Sequence, residues 1–437
     1  MKSILLTALV AVGLAHVTAP GSRAGDTIPV LTREMAIDRV VAATPALDAL
    51  RENINARTST IRQAGVKPNP LLSTELENFT GTGPFTGLGR SEFTVAYNQR
   101  FERGGKRRSR VQLATNEKQI AIAQLQINRL DIIRETERAY IGVLAAQAKL
   151  ENAEEQVTVF ESIHDAINVR MARGKDSKFA VQNARMHLLR AQNRVTQAEQ
   201  SVTNAKQSLS SLWQQTDTMF SVTVSSFFAL PDHLIAPALT AAQSGPDLAL
   251  WKLRQERSKS TVALEKANAV QDPTVKVGLR YLQGTSDVAA IVGVSIPFAL
   301  YDTNSGNIGK AKANHKKSQY ELSEAERQLE RRILMQQNNR AAAYVQARQI
   351  FHNLIPEAEE TKKLVLERLK RGVASYLDVF TTQTLAAEFK GQLLAELEQY
   401  HLAQIELDRL TARHGLDDTI SDENSATDKI SQNGEGK

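Results

Sequence analysis

The stretch from Glu92 to Lys106 reads EFTVAYNQRFERGGK, and its pattern decides how the chain is built. Phe93, Val95, Tyr97 and Phe101 alternate with Glu92, Thr94, Ala96, Asn98 and Arg100, the period-two signature of a strand with one apolar and one polar face. Gly104 and Gly105 close it. The sequence then changes character: from Gly105 to Arg170 there is no proline, and Gly142 is the only interior glycine. Leu113, Ile120 and Ile127 fall at heptad spacing, as do Leu150 and Val157, with Leu130, Ile141, Leu144 and Phe160 filling the same seam. At 1.5 Å per residue this predicts a helix on the order of 100 Å long. A short half-apolar strand feeding a very long helix is the building unit.

Strands of this kind come in two pairs. Upstream, Leu72, Thr74 and Leu76 oppose Ser73, Glu75 and Glu77. They follow a helical stretch from about Leu31 to Val66, which Lys67-Pro68-Asn69-Pro70 stops. Downstream, Val275, Val277, Leu279 and Tyr281 alternate with Lys276, Gly278 and Arg280. Ala290, Val292, Val294 and Ile296 then alternate with Ile291, Gly293 and Ser295 before Pro297. Strands are expected at about 71–79, 91–101, 274–283 and 289–297.

The surrounding landmarks recur about 200 positions on. Thr44-Pro45-Ala46-Leu47 returns as Gly245-Pro246-Asp247-Leu248, and Gly105 returns as Gly306. Arg170-Met171-Ala172-Arg173-Gly174 returns as Arg368-Leu369-Lys370-Arg371-Gly372, each followed by a valine, Val181 or Val379. The chain therefore reads as a duplicated helix–strand–strand–long helical hairpin plan. A first repeat covers 25–215 with its hairpin at 105–213, and a linker or equatorial segment covers 216–245. The second repeat covers 246–415 with its hairpin at 306–414, before a polar, acidic tail over 416–437 that is expected to be disordered. Leu322, Leu329, Ile333, Tyr344, Ile350 and Leu354 mark the second seam, and Pro356 predicts a kink there.

Composition agrees with a mainly α chain carrying a small β part. Only 23 glycines and 12 prolines interrupt 437 residues, and aromatics are 5%. Cysteine is absent, which excludes a disulfide framework, Cys-ligated zinc and a thiol nucleophile. The net charge of +6, from 54 basic and 48 acidic residues, is too mild to argue for nucleic acid. Lys2 precedes an apolar run from Ile4 to Ala15, the length of an export-signal core and too short to span a bilayer. Residues 1–24 are thus expected to be a signal peptide, with Ser22 and Ala24 suiting cleavage before Gly25.

Four strands cannot close a barrel within one chain, since small closed barrels need about eight. Three chains would supply about twelve strands around a polar lumen, apolar side to lipid. A small soluble sheet is the other reading of the same strands.

Three segments now carry a resemblance. They are Asn69-Pro70-Leu71-Leu72-Ser73-Thr74-Glu75, the run Gln99-Arg100-Phe101-Glu102-Arg103-Gly104-Gly105-Lys106-Arg107, and Ser295-Ile296-Pro297-Phe298-Ala299-Leu300-Tyr301-Asp302 continuing through Asn304-Ser305-Gly306-Asn307-Ile308. With the duplicated hairpins, they make the chain from about Ile37 to Gly415 resemble the TolC-type outer-membrane factors of tripartite efflux pumps, in their heavy-metal (cobalt–zinc–cadmium) branch. The resemblance implies a homotrimer with a 12-strand β-barrel in the outer membrane, set on a coiled-coil α-barrel that crosses the periplasm. It also implies a periplasmic adaptor and an inner-membrane RND transporter as partners. A periplasmic coiled-coil adaptor, or a structural protein without a pore, is the alternative.

The candidate residues follow from these readings. Phe93, Val95, Tyr97, Val275, Val277 and Leu279 are expected to face lipid, and Glu75, Glu77, Arg100, Lys276 and Arg280 to line the lumen. Val277→Arg is therefore expected to impair insertion more than Gly278→Arg. Lys106, Arg107, Arg108 and Arg110 oppose a helix dipole, and are expected to snorkel to anionic headgroups just below the barrel. The tips around Arg170, Arg173, Gly174 and Val181, and around Arg368, Arg371, Gly372 and Val379, are expected to dock adaptor hairpins. The resemblance further implies acidic residues beyond the second tip that ring a periplasmic aperture. Asp378 matches the first such position, Thr381 stands at the second, and Ala374 replaces a latching arginine.

Gly104-Gly105-Lys106 lacks the spacing of a phosphate-binding loop, and no Ser/His/Asp set stands out, so neither an enzyme nor a cofactor is expected. His164, His187, His233, His315, His352, His401 and His414 lack metal-ligand spacing and read as scattered helix-surface residues.

Overall fold

The computed structural model describes residues 29–215, 218–234, 244–371 and 373–413. The expected signal peptide, the tail, Gly372 and His414 lie outside the described residues. The helices are α1 (Arg33–Ala43), α2 (Pro45–Ala64), α3 (Lys106–Ala172), α4 (Lys178–Ser211), α5 (Pro246–Asn268), α6 (Ser305–Gln349), α7 (Ile355–Lys370) and α8 (Tyr376–Leu410). The strands are β1 (Leu71–Glu77), β2 (Glu92–Arg100), β3 (Thr274–Leu282) and β4 (Asp287–Ser295).

The four strands form one antiparallel sheet in the order β1-β2-β3-β4, so the seam between the two halves of the chain is the β2–β3 pair. Each strand lies where alternation placed it, with β4 beginning and ending two residues early. Ser286, with φ 57°, makes the turn from β3 tight, and Pro297 offers no amide to extend the ladder.

Helix α3 runs unbroken for 67 residues, about 100 Å. Its buried face includes the expected seam residues Leu130, Ile141, Leu144 and Phe160 but departs from the seam toward the start of the helix. Leu113, Ile120 and Ile127 are half-buried, whereas Ala114, Ala121 and Ala123 are fully buried beside Ile122 and Leu125. The reason is that α3 packs against α2, α4, α5 and α8 on several sides, where small side chains let the helices approach. Two other helices also depart from the sequence reading. The stretch from Leu31 to Val66 divides at Thr44, whose extended backbone (φ −91°, ψ 105°) is what a residue before proline favours. Upstream of Pro356, Ile350–Leu354 form one π turn, closed by the Ile355 amide on the Ile350 carbonyl. Proline's missing N–H and its clash with the carbonyl four residues back are relieved by that wider turn.

The largest core lies midway along the helices. Tyr140, Val143 and Leu144 of α3 meet Leu209 of α4, Ile350, and Leu393, Leu394 and Leu397 of α8. The segment expected to be a linker completes this core with Phe220 and Phe227, buried beside Trp213 at the end of the first hairpin. Leu31 N–H donates to Ser221 O at 2.8 Å and Ser221 N–H to Pro29 O at 3.0 Å, lashing the linker to the start of the described chain.

Candidate functional site

Register sorts the sheet's side chains into two faces. Glu75 pairs with Thr94 and Thr94 with Arg280, placing Ser73, Glu75, Glu77, Glu92, Thr94, Asn98, Arg100, Lys276 and Arg280 on one side. There the charges form a ladder across strands. Arg280 donates to Glu92 at 2.6 Å, to Glu77 at 2.8 Å and to the Thr94 hydroxyl at 3.0 Å, and Lys276 donates to Glu75 at 3.0 Å. The other face carries Leu72, Leu76, Phe93, Val95, Tyr97, Val275, Val277, Leu279, Val288, Val292 and Val294. Most of that face is bare, with Val292 74% exposed.

Gly278 corrects the substitution paired above with Val277→Arg. A Cβ there would stand 2.6 Å from the Val95 carbonyl and 2.8 Å from Ala96 Cβ, so Gly278→Arg breaks the sheet itself. Gly293, across from Lys276, has room on the same polar face.

The strand-to-helix junction splits the expected basic cluster. Gly104 and Gly105 both adopt positive φ, 69° and 75°. A side chain at Gly104 would collide with Val270 at 2.7 Å. Lys106 is not free to snorkel: it pairs with Asp272 at 2.8 Å, both nearly buried. Arg110 is likewise held by Glu102 and lies beside the carbonyls of Ala64 and Val66. Its hydrogen bond holds the Glu102 carboxyl below the usual range. Burial pushes Asp272 upward, but Lys106 and the Arg103 N–H outweigh it, and its pKa is lowered. Arg107 and Arg108 remain exposed.

At the far end, the two tips are built differently. Gly174 ends α3 in the left-handed conformation at φ 69°, and Lys175 N–H returns to Arg170 O at 3.0 Å. Val373 N–H returns to Arg368 O at 2.9 Å in the second tip. The arginines then diverge. Arg170 is half-buried and donates to Asp176 at 2.7 Å, to Tyr376 Oη at 2.9 Å and to Leu369 O at 3.0 Å, joining both hairpins. Arg368 is exposed, as are Arg173 and Arg371. Val379 is buried and Val181 half-buried in a cluster with Phe160, Ile163, Ile167, Leu369 and Phe380, so these valines pack the tip rather than offer a surface.

Asp378 and Thr381 are exposed on one face of α8. Asp378 closes a capping box: Ser375 N–H donates to it at 2.8 Å, and its own N–H donates to Ser375 Oγ at 3.3 Å. The Ser375 hydrogen bonds, with the charge of Arg368, hold its pKa below the ordinary carboxylate value.

The histidines occupy separate places. His187 stacks on Phe380 with centroids 4.4 Å apart, His401 faces the Phe227 carbonyl at 2.9 Å, and His315 meets Ser258 at 2.9 Å. No group of three or more His, Asp or Glu side chains is placed to hold a metal among the described residues. Among the same residues, no helix is long and apolar enough to cross a membrane.

Sequence reading missed one buried charge cluster. Arg409 of α8 reaches Asp131 of α3 at 2.7 Å and Asp247 at the start of α5, binding three helices. Asp247 had stood out only as part of a recurring tetrapeptide. Its partners lie more than a hundred residues away, and no local pattern points to them.

A profile of the family described as "Outer membrane efflux protein" matches residues 36–214 and 239–413. The chain belongs to that family. It is thereby an efflux protein of the outer membrane, a transport component rather than an enzyme. Among curated proteins it is similar to the cobalt-zinc-cadmium resistance protein CzcC of Cupriavidus metallidurans, 27% identical over 88% of this chain and 90% of that one. Its fold is that of solved outer-membrane channels. CusC superposes with a TM-score of 0.72 at 13% identity, covering 91% of this chain and 98% of that one. The outer membrane protein VceC of Vibrio cholerae superposes at 0.70 with 18% identity, covering 87% and 95%.

Proposed function

We propose that three copies of this outer-membrane efflux protein close about twelve strands into a barrel, and that the pore is a passive conduit for heavy-metal cations. The sheet carries the reading. Its bare apolar face suits lipid, its charge ladder suits a wetted lumen, and its paired edges end at β1 and β4, which a second copy would join. Glu75, Glu77, Arg100, Lys276 and Arg280 then line the lumen. The cargo class rests on the similarity to a protein named for cobalt, zinc and cadmium resistance. A periplasmic adaptor and an inner-membrane RND transporter deliver that cargo to the hairpin tips. The exposed Arg173, Arg368 and Arg371 offer the docking surface, and Asp378 and Thr381 line the aperture.

The protein should leave the outer membrane as a detergent-solubilised trimer. A charge at the bilayer midplane costs roughly 2–4 kcal/mol on the lipid face. Val277→Arg should therefore lower the inserted fraction while Gly293→Arg should not. Equal insertion of the two would overturn the face assignment. Cells lacking the protein should lose tolerance to cobalt, zinc or cadmium. Unchanged tolerance to all three would remove the cargo assignment and leave the channel.

A further inference from the structure

The sheet register gathers Leu71, Arg100, Thr274 and Ser295 at one rim. Helices α2 and α5 end at that rim, and α3 and α6 begin there. Two observations meet at this level. The first is apolar: Phe101, Ile296 and Leu300 are exposed, and Phe298 and Tyr301 are 89% and 93% exposed, outside any strand.

The second observation is electrostatic. Two nearby acids sit in ion pairs, and two others accept hydrogen bonds from neutral amides and keep their charge. Glu102 holds Arg110, and Asp272 holds Lys106 and the Arg103 N–H. Asp302 accepts from the Asn304 N–H, and Glu265 accepts from the Asn304 side chain. Arg107 and Arg108 on α3, and Lys310 and Lys312 on α6, are exposed and form no ion pair among the described residues. Both helices that leave the barrel thus carry spare cations within their first two turns. At the start of α3 the dipole disfavours Arg107 and Arg108, so an external anion is their natural partner. Lys310 and Lys312 lie beyond the first turn of α6, and their case rests on exposure alone.

We propose that this rim seats anionic phospholipid of the inner leaflet of the outer membrane. Headgroup phosphates pair with Arg107, Arg108, Lys310 and Lys312, while Phe298 and Tyr301 lie at the headgroup boundary. Lys310 and Lys312 stand about 8–10 Å along α6 from its start, and their long stems carry the charge back toward the headgroup layer. The apolar rim is continuous with the bare face of the sheet, so one lipid layer covers both. The inference rests on the barrel reading.

The test compares the purified trimer with two double variants, Arg107→Gln/Arg108→Gln and Lys310→Gln/Lys312→Gln. Arg332→Gln removes an exposed charge about 30 Å further down α6 and serves as the control. Native mass spectrometry with added phosphatidylglycerol, phosphatidylcholine or lipid A reads retention of each lipid. Wild type should prefer phosphatidylglycerol over phosphatidylcholine, and each double variant should lose that preference by about fivefold per cation removed. The control should retain it. Unchanged phosphatidylglycerol retention in both double variants would overturn the proposal. So would a loss confined to lipid A, which would put the cations against the outer leaflet. A wild-type chain soluble without detergent would instead sink the barrel reading, and this proposal with it.

Discussion

The two halves of the chain end in hairpins that look alike in sequence and differ in mechanics. The first descends in α3 without a break, and its Arg170 is tied to Asp176, Tyr376 and Leu369. The second is divided by the π turn at Ile350–Leu354, its Arg368 is exposed and forms no ion pair among the described residues, and its return helix starts from the Ser375–Asp378 capping box. One side is a post and the other has a joint. A recurring Arg-x-x-x-Gly pattern therefore specifies a turn but not what the arginine does, because each guanidinium takes whatever acceptors its surroundings bring.

The largest expected effect separates the two arginines. Arg170→Ala should lower the stability of the tip by about 2 kcal/mol, since it leaves the half-buried Asp176 carboxylate with only the Tyr376 hydroxyl and strips the Leu369 carbonyl of a donor. Arg368→Ala should stay within about 0.5 kcal/mol. Hydrogen exchange of the tip amides measures both, and equal losses would erase the contrast. Next, Pro356→Ala should let the Ile350–Leu354 turn relax to an α-helix, gaining about 1–2 kcal/mol of local protection. Spin-label distances across the turn should narrow in spread, whereas persistence of the π turn would acquit the proline.

A smaller effect depends on pH. His187 packs beside the stacked rings of Phe160 and Phe380, and burial, with Arg190 nearby, lowers its pKa. A histidine depressed in the fold favours folding while neutral. Its contribution is complete above about pH 6.5 and is lost as pH falls from there through the folded value. Tip amides should exchange faster as pH is lowered over that window, after correction for intrinsic rates, and His187→Phe should flatten the change. The smallest effect concerns the caps. Asp378→Asn should weaken protection of the first turn of α8 only slightly, and Ala180→Asp should strengthen that of α4, where Ser177 now caps alone.

Much of this architecture was legible beforehand. Alternation fixed the faces of Glu75, Val277 and Arg280, because a strand has only two sides and register cannot slip without exchanging them. Breakers fixed the long helices. The basic run at Lys106 was harder: composition showed four cations, but not that Asp272 and Glu102 would claim two. The linker was harder still, since Phe220 and Phe227 become core only where α3, α4 and α8 converge.

Sequence by itself determined what depends on neighbours along the chain: strand periodicity, helix length, the stop at Pro68, the turn at Gly174. Those features follow from backbone sterics and local hydrogen bonding, which a few consecutive residues set. Tertiary structure alone decided which charges are spent and which are free. Arg170 and Arg368, or Arg110 and Arg107, are the same letter. They part company because an ion pair needs its partner within about 4 Å, and that distance is set by chain segments far apart in sequence.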